Sequence, residues 1–230
     1  MMQRTTLLLA AAAGSMIAAG SASAAFTGLD AESFVGADWV ANGYDESALD
    51  TYRVYATFDT PISSVLAVGD NADDGIEFSL RSSNGAFVND AAGSDFAPNP
   101  TFLPFAPAVR WDTYITIGEA MGMGPGGVAM TFGTPGFASQ AAGLTGDFTL
   151  DNAGFFQTMM PLGEAVNGRV LVAQITVTEG ATVTGENWVI TGLDVGFPFE
   201  ALGSFTTAIP APGALALLGL AGLVGRRRRG

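Results

Sequence analysis

The sequence predicts an all-β fold, a β-sandwich-like exported domain with long loops, and three observations lead to this prediction. Apolar and polar residues alternate with period two in several short runs, as expected of half-buried strands. Glycine, proline, asparagine and aspartate separate those runs, which is typical of β-sandwiches. No repeat of fixed length is found, and this argues against a solenoid or a propeller.

The clearest strand pattern runs from Arg169 to Thr178. One face of this run carries four apolar residues: Leu171, Ala173, Ile175 and Val177. Val170 and Val172 stand on the opposite face, so the first half of the strand is predicted to be buried on both sides.

Other runs complete the predicted sheets. In the run 51–58, Tyr52, Val54, Ala56 and Phe58 alternate with more polar neighbours. Runs 64–68 and 76–80 flank a polar turn and are predicted to pair as a hairpin with a longer loop. Further strands are predicted at 111–117, 128–132, 188–195 and 203–207.

Little helix is expected, and two segments are predicted to be long loops. Residues 45–50 are the one stretch that suggests a single helical turn. The proline- and phenylalanine-rich segment 91–107 is expected to pack against the sheets as a lid, since exposed aromatic clusters are uncommon on monomers. The glycine-rich segment 118–143 is the second loop.

The first 24 residues have the pattern of a secretory signal peptide. Arg4 supplies a short positive region, an apolar run begins at Leu7, and Ala22 and Ala24 form a small-x-small cleavage site. Cleavage by signal peptidase is therefore expected before Ala25, and the chain is predicted to be exported.

The C-terminal segment 210–230 combines a Pro-x-Pro break, an apolar run and a basic end. The apolar run 213–225 is short of the roughly 20 residues that a stable spanning helix needs. Four arginines follow it and are expected to stop transfer on the cytoplasmic side: Arg226, Arg227, Arg228 and Arg229. This predicts a transient membrane anchor with the body outside, and a plain tail anchor is the alternative.

Pro210, Ala211 and Pro212, followed by that apolar run and the arginine cluster, resemble the PEP-CTERM sorting signal. The family pattern has glutamate where this chain has Ala211. The resemblance covers about a tenth of the chain. It implies recognition by an exosortase-type transpeptidase, which cleaves near the Pro-x-Pro and passes the body to the cell surface or extracellular matrix. The predicted organisation is a signal peptide (1–24), an extracellular β-rich domain (25–209) and a sorting signal (210–230).

The composition of the body restricts its chemistry and its partners. Residues 25–209 carry all 22 acidic residues and only four arginines, a formal charge of −18. Such a surface repels nucleic acid and anionic lipid, so neither is an expected partner. Histidine and cysteine are absent, which removes the usual zinc, copper and haem ligands, histidine bases and cysteine nucleophiles. No cofactor other than calcium is expected.

A polar loop with the residues that a hard cation prefers is the candidate calcium site. Its candidate ligands are carboxylate and amide side chains: Asp70, Asn71, Asp73, Asp74 and Glu77. The loop is not an EF-hand, because Ala72 and Arg81 stand where ligands belong. A solvated turn, in which Asp, Asn and Gly accommodate the backbone angles, is the favoured alternative.

The sequence carries no nucleophile–base arrangement, so the protein is predicted not to be an enzyme. Carboxylate pairs such as Asp112 with Glu119, or Asp147 with Asp151, leave a secreted glycan hydrolase as a less favoured alternative.

Three tryptophans bear on a second alternative, a carbohydrate-binding or adhesive module with exopolysaccharide as its partner. Trp39, Trp111 and Trp188 are able to form a sugar-stacking platform, although tryptophans in β-sandwiches are more often core residues. The favoured prediction is an exported structural or interaction protein of the cell surface or extracellular matrix.

Overall fold

The structure is a computed structural model that describes residues 26–34, 48–59, 63–69, 77–90, 92–93, 97–98, 101, 103–118, 131–133, 146–150, 153–156, 164–194 and 197–207. This part of the chain consists mostly of β-strands in two antiparallel sheets and contains very little helix. The predicted all-β class is therefore confirmed.

Eleven strands are described within these ranges. They are β1 (Phe26–Ser33), β2 (Leu49–Phe58), β3 (Ser63–Gly69), β4 (Phe78–Ser82), β5 (Tyr114–Ile115), β6 (Thr131–Gly133), β7 (Phe148–Leu150), β8 (Ala153–Phe156), β9 (Arg169–Thr178), β10 (Val183–Asp194) and β11 (Phe197–Thr206). The first sheet has the order β1-β2-β9-β5. The second has the order β6-β8-β3-β10-β4-β7, and β11 also pairs with β10.

The alternation predicted around Tyr52 is confirmed in β2. Tyr52, Val54, Ala56 and Phe58 are all buried and belong to the hydrophobic core, while the residues between them point to the other face. Buried residues of both sheets form one apolar cluster. Its largest fully buried side chain, Trp188, donates a hydrogen bond from Nε1 to the backbone oxygen of Ser79 at 3.0 Å, so the indole is buried without an orphaned donor.

Strand β9 is buried on both faces over its first half, as predicted, and this burial continues to Val177, but the strand contains a bulge. Every residue from Val170 to Val177 is buried. The register with β2 shifts because Val54 pairs with Ala173 and the next residue of β2 pairs with Leu171. Val172 is the extra residue. The prediction that Leu171 shares a face with Ala173 is therefore wrong, and Leu171 is not part of the core cluster.

The predicted hairpin of runs 64–68 and 76–80 is wrong in its pairing. Both strands exist, as β3 and β4, but each pairs with β10. The register places β4 beside residues 183–186 of β10 and β3 beside residues 189–194. A long central strand has room for two short partners end to end, and alternation along the chain does not encode that choice.

The strand predicted at 111–117 is shorter than expected. Residues Pro107–Trp111 form a 3₁₀ helix, and only Tyr114–Ile115 form a strand. Proline at the start of the 3₁₀ helix fixes the backbone angle that the turn needs. The lid prediction for 91–107 holds for Leu103, which is 9 % exposed, but not for Phe105, which is 86 % exposed.

Other predictions fall partly beyond the described residues. Leu49 and Asp50, assigned to a helical turn, belong to β2, while 45–47 lie outside the described residues. Of the segment 128–132, only 131–132 is described, in β6. Most of the second loop also lies outside. Within the described ranges, no helix is long and apolar enough to cross a membrane.

Candidate functional site

A groove of about 600 Å³ lies where the two sheets meet at β1 and β11. Residues 29–31 of β1 form one wall, and residues 184–187 of β10 with 204–206 of β11 form the other. Among the described strands, β1 is the outermost member of the first sheet. The groove therefore lies between one sheet edge and the irregular part of the other sheet, and its volume is in the range of ligand sites.

A β-bulge in β10 shapes the groove. Gly185 pairs with Phe205 and Trp188 pairs with Gly203, so two residues of β10 stand opposite one residue of β11. The second of these two, Asn187, has φ of 60°, which is the left-handed region that few non-glycine residues adopt. Bulges and left-handed residues of this kind are frequent beside functional sites.

Two hydrogen bonds of Asn187 hold the bulge in place. The backbone N–H of Asn187 donates to Ser204 Oγ at 3.3 Å, and its side-chain Nδ2 donates to the backbone oxygen of Glu77 at 3.0 Å. The bulge is thus connected to β11 on one side and to the residue before β4 on the other. Asparagine suits this position because its amide forms such contacts while the backbone stays left-handed.

Two glycines let apolar side chains form the floor of the groove. A Cβ on Gly185 would overlap the ring of Phe205, and a Cβ on Gly203 would lie 2.8 Å from Leu29 Cγ. Both glycines therefore permit a close approach that a larger residue would block. The result is an apolar floor made by Leu29, Ala31 and Phe205.

The polar residues that line the groove lie mainly on β10 and β11. Glu186 of β10 is exposed, and Thr184, Ser204 and Thr206 add hydroxyl groups. Asp30 alternates with Leu29 and Ala31 and lies opposite Tyr55, so its side chain points to the other face of the first sheet. The described residues that line the groove include no lysine or arginine.

Asp30 contacts Arg169, whose Nη2 lies 3.9 Å from Asp30 Oδ2. The same nitrogen lies closer to Glu32, at 2.9 Å from Oε2. The Glu32 carboxylate, as acceptor beside the guanidinium, raises the pKa of Arg169, so this guanidinium is held mainly by Glu32.

A second polar cluster lies under the 3₁₀ helix, on the face of β9 away from the core. Gln174 is fully buried, and its Nε2 donates to the backbone oxygens of Arg110 at 2.8 Å and Asp112 at 3.3 Å. Its Oε1 accepts from the hydroxyl of Tyr114 at 3.2 Å and from Nε of Arg53 at 3.4 Å. Every hydrogen-bonding capacity of the amide is used, which explains how a glutamine is tolerated there.

Among the described carboxyl groups, Asp112 has the pKa that departs most from its ordinary value. Its side chain is 1 % exposed, Oδ1 accepts a 2.7 Å hydrogen bond from the backbone N–H of Asp90, and Oδ2 is buried without a hydrogen bond. Burial raises the pKa of Asp112 to about 7. The nearby charge of Asp90 adds to this rise, whereas the hydrogen bond from the backbone N–H of Asp90 opposes it. Oδ2 also lies against Gly93, where no side chain would fit.

The candidate calcium ligands are only partly described. Asp70, Asn71, Asp73 and Asp74 lie outside the described residues. Glu77 is exposed, and its backbone oxygen accepts the hydrogen bond from Asn187. Among the described residues, no three acidic, histidine or cysteine side chains converge on a metal-sized site.

The sorting and signal residues also lie outside the described residues. These are Ala22, Ala24, Ala25, Pro210, Ala211, Pro212 and Arg226 to Arg229. Their roles stay predictions.

The tryptophans do not form an exposed platform among the described residues. Trp188 is fully buried and Trp111 is 6 % exposed, so both are core residues, while Trp39 lies outside the described residues. This removes two of the three side chains on which the sugar-stacking alternative depended.

The carboxylate pairs are only half described, because Glu119 and Asp151 lie outside the described residues. Asp112 is buried, and Asp147 Oδ1 accepts a 2.7 Å hydrogen bond from the backbone N–H of Ser82. Both described members therefore have structural contacts that explain their positions.

Sequence reasoning did not identify the groove, although one signal for it exists. In β10 the buried positions change parity, from Val183 and Gly185 to Trp188 and Ile190. A strand keeps its buried residues on one parity unless a bulge intervenes, so this change marks the bulge. The partners across the groove are too distant in sequence to be paired by inspection.

No family model, no curated protein and no solved structure matches this chain.

Proposed function

We propose that this chain is an exported structural or interaction protein of the cell surface or extracellular matrix, sorted by exosortase-type C-terminal processing and without enzymatic activity. The single observation that carries the proposal is the position of the described fold between the two predicted signals. Strand β1 begins at Phe26, directly after the predicted cleavage before Ala25. Strand β11 ends at Thr206, shortly before Pro210.

The contacts of these two strands add support. β1 packs against β11, so the first and the last described strands are neighbours. Removal of residues 1–24 and of a tail near 210 takes no residue from any described strand. We further propose that the two sheets stack as a β-sandwich, since their buried residues share one core.

Mass spectrometry of the native exported protein tests the sorting proposal. The expected material begins at Ala25 and lacks Arg226 to Arg229. Pro210→Ala combined with Pro212→Ala should retain the tail, because the rigid Pro-x-Pro break is lost. Pro198→Ala, a single exposed position in β11, is the control and should be processed normally. Mature wild-type protein that still carries the four arginines would contradict the proposal.

A further inference from the structure

One oxygen of Asp112 holds a short turn that we call the Asp90 turn, formed by Asp90, Ala92 and Gly93. The backbone N–H of Asp90 donates to Asp112 Oδ1 at 2.7 Å. Within the turn, the N–H of Gly93 donates to the backbone oxygen of Asp90 at 2.8 Å, and the N–H of Ala92 donates to Asp90 Oδ1 at 2.8 Å. The Asp90 turn is therefore fastened to the chain just before β5.

The other oxygen of Asp112 lies beside the side-chain amide of Asn89. Asn89 Oδ1 is 2.9 Å from the position that a Cβ of Gly93 would take, and Asp112 Oδ2 lies closer still to that position. Asn89 Nδ2 donates to the backbone oxygen of Thr113 at 3.2 Å, so the amide presents its oxygen to Asp112. An amide oxygen and a carboxylate oxygen, both acceptors, are thus neighbours.

Two neighbouring acceptor oxygens repel each other unless a proton or a cation lies between them. Asp112 is 1 % exposed, and its Oδ2 is buried without a hydrogen bond, so water does not screen the repulsion. Protonation turns Oδ2 into a donor with Asn89 Oδ1 as the acceptor beside it. Burial, which raises the pKa of Asp112 to about 7, favours the same protonated form.

The charged groups around Asp112 do not favour its ionised form. Asp90 adds a negative charge from the turn. Tyr114 in β5 is neutral at ordinary pH, because burial raises its pKa further. Arg53 of β2 acts on Tyr114, and Arg110 stands two residues before Asp112 in the 3₁₀ helix, but neither arginine is among the groups that shift the pKa of Asp112.

We infer that the carboxylic acid of Asp112 donates a hydrogen bond from Oδ2 to Asn89 Oδ1 and acts as a proton-operated latch on the Asp90 turn. When the proton passes to bulk water, the two oxygens repel each other. The carboxylate then regains solvent only if the turn moves away from it. This inference goes beyond the proposed function and does not depend on it.

Carbon-13 NMR titration of the side-chain carboxyl carbons in the full exported protein tests the hydrogen bond. The Asp112 resonance should report a protonated carboxyl group at about pH 6. Asn89→Leu keeps the branched shape and the exclusion of water but removes the acceptor. It should lower the pKa of Asp112 by about one pH unit, the effect of one ordinary hydrogen bond. An amide that presented Nδ2 to a carboxylate would produce the opposite change.

Hydrogen exchange at the backbone N–H of Asp90 tests the latch. After correction for the intrinsic pH dependence of exchange, the opened fraction of the turn should increase up to about tenfold per pH unit between about pH 4 and 7, and level off above that range. Asp112→Asn should remove this dependence, because its amide donates to Asn89 Oδ1 at every pH. The N–H of Gly180 is the control amide. It donates to Asp50 Oδ2 at 2.7 Å in an exposed hydrogen bond and should show no such increase.

Four results would overturn the inference. They are an ionised Asp112 at about pH 5, an unchanged or raised pKa of Asp112 in Asn89→Leu, an opening of the turn that depends on pH equally in Asp112→Asn and in wild type, and a shift of the Asp112 resonance on addition of millimolar calcium. The last result would place a cation, not a proton, between the two oxygens. If Asn89→Leu does not fold, the wild-type titration and Asp112→Asn still decide.

Discussion

At the scale of single residues, Asp112 connects burial to an effect on stability. Its carboxyl group lies between the backbone of Asp90 and Gly93 and has lost nearly all contact with solvent. The charge of Asp90 acts on it, and Asp112 in turn adds to the rise that burial causes in the pKa of Tyr114. Because no described cation compensates the carboxylate in this environment, the neutral acid is the form that the fold accommodates.

Asp112 predicts a loss of stability with rising pH. Its pKa is about 7 in the folded protein and near the ordinary value of 3.8 when unfolded. The folded state therefore holds a proton that the unfolded state releases. The contribution of this proton to the free energy of unfolding is complete below about pH 4. It is lost as pH rises to 7, with a slope of at most about 1.4 kcal/mol per pH unit. Urea unfolding of wild type and Asp112→Asn between pH 4.5 and 8 measures it, and the difference between them should carry that slope.

Asp147→Asn is the control for Asp112→Asn. Asp147 is exposed and accepts its hydrogen bond at the surface, so its removal should shift the stability by a similar amount at every pH above 5. If Asp112→Asn follows wild type in parallel across the pH range, Asp112 is ionised in the folded protein and the prediction is wrong.

At the scale of elements, the bulge in β10 determines the shape of the groove. It places Glu186 on the wall and lets Trp188 enter the core two positions later. Trp188 then packs between Phe78, at 4.9 Å between ring centroids, and Phe205, at 5.4 Å. The same irregularity therefore serves the core on one face and the groove on the other.

Asn187 allows the cost of the bulge to be measured. Asn187→Ala and Asn187→Gly both lose the hydrogen bond to the backbone of Glu77, so the difference between them reports the left-handed backbone alone. Asn187→Ala should be less stable than Asn187→Gly by about 1 kcal/mol in urea unfolding, because alanine is strained at positive φ. Equal stabilities would mean that residue 187 leaves the left-handed region in solution.

The elements also indicate how far sequence reasoning reaches. Alternation identified β2 and β9 because each strand presents a continuous apolar face to the core, and that pattern depends only on neighbours in the chain. It placed Leu171 on the wrong face, since the bulge at Val172 depends on the partner strand. It also predicted the wrong pairing of β3 and β4, because the competing partner β10 lies about a hundred residues away.

The groove escaped sequence reasoning for a related reason. The lining residues of β1 and of β10 come from opposite ends of the described chain, and none of them belongs to a motif. Only the packing of β1 on β11 brings them together. The predicted terminal signals, in contrast, rest on local patterns of charge and hydrophobicity that need no tertiary contact to be recognised.

At the scale of the whole molecule, the stability of this acidic protein depends on a hydrophobic core to which both described sheets contribute. The chain contains no cysteine, so its stability rests on packing between the sheets, without disulfide cross-links. Core residues such as Trp188, Phe78 and Ile175 are fully buried. Most carboxylates of the described residues lie outside this core, and Asp112 and Asp194 are buried exceptions.

The proposed sorting tail differs at Ala211 from the signal that it resembles, and this difference leads to the last prediction. In the sequence, Pro210 and Pro212 stand on both sides of Ala211. If the processing enzyme reads this position, Ala211→Glu should raise the fraction of chains that lose Arg226 to Arg229, as measured by intact-mass spectrometry of cells sampled during export. Ala208→Glu adds the same charge without flanking prolines and should leave that fraction unchanged. An equal rise in both variants would assign the effect to charge near the membrane, and no rise in either would mean that the two prolines and the apolar run suffice for recognition.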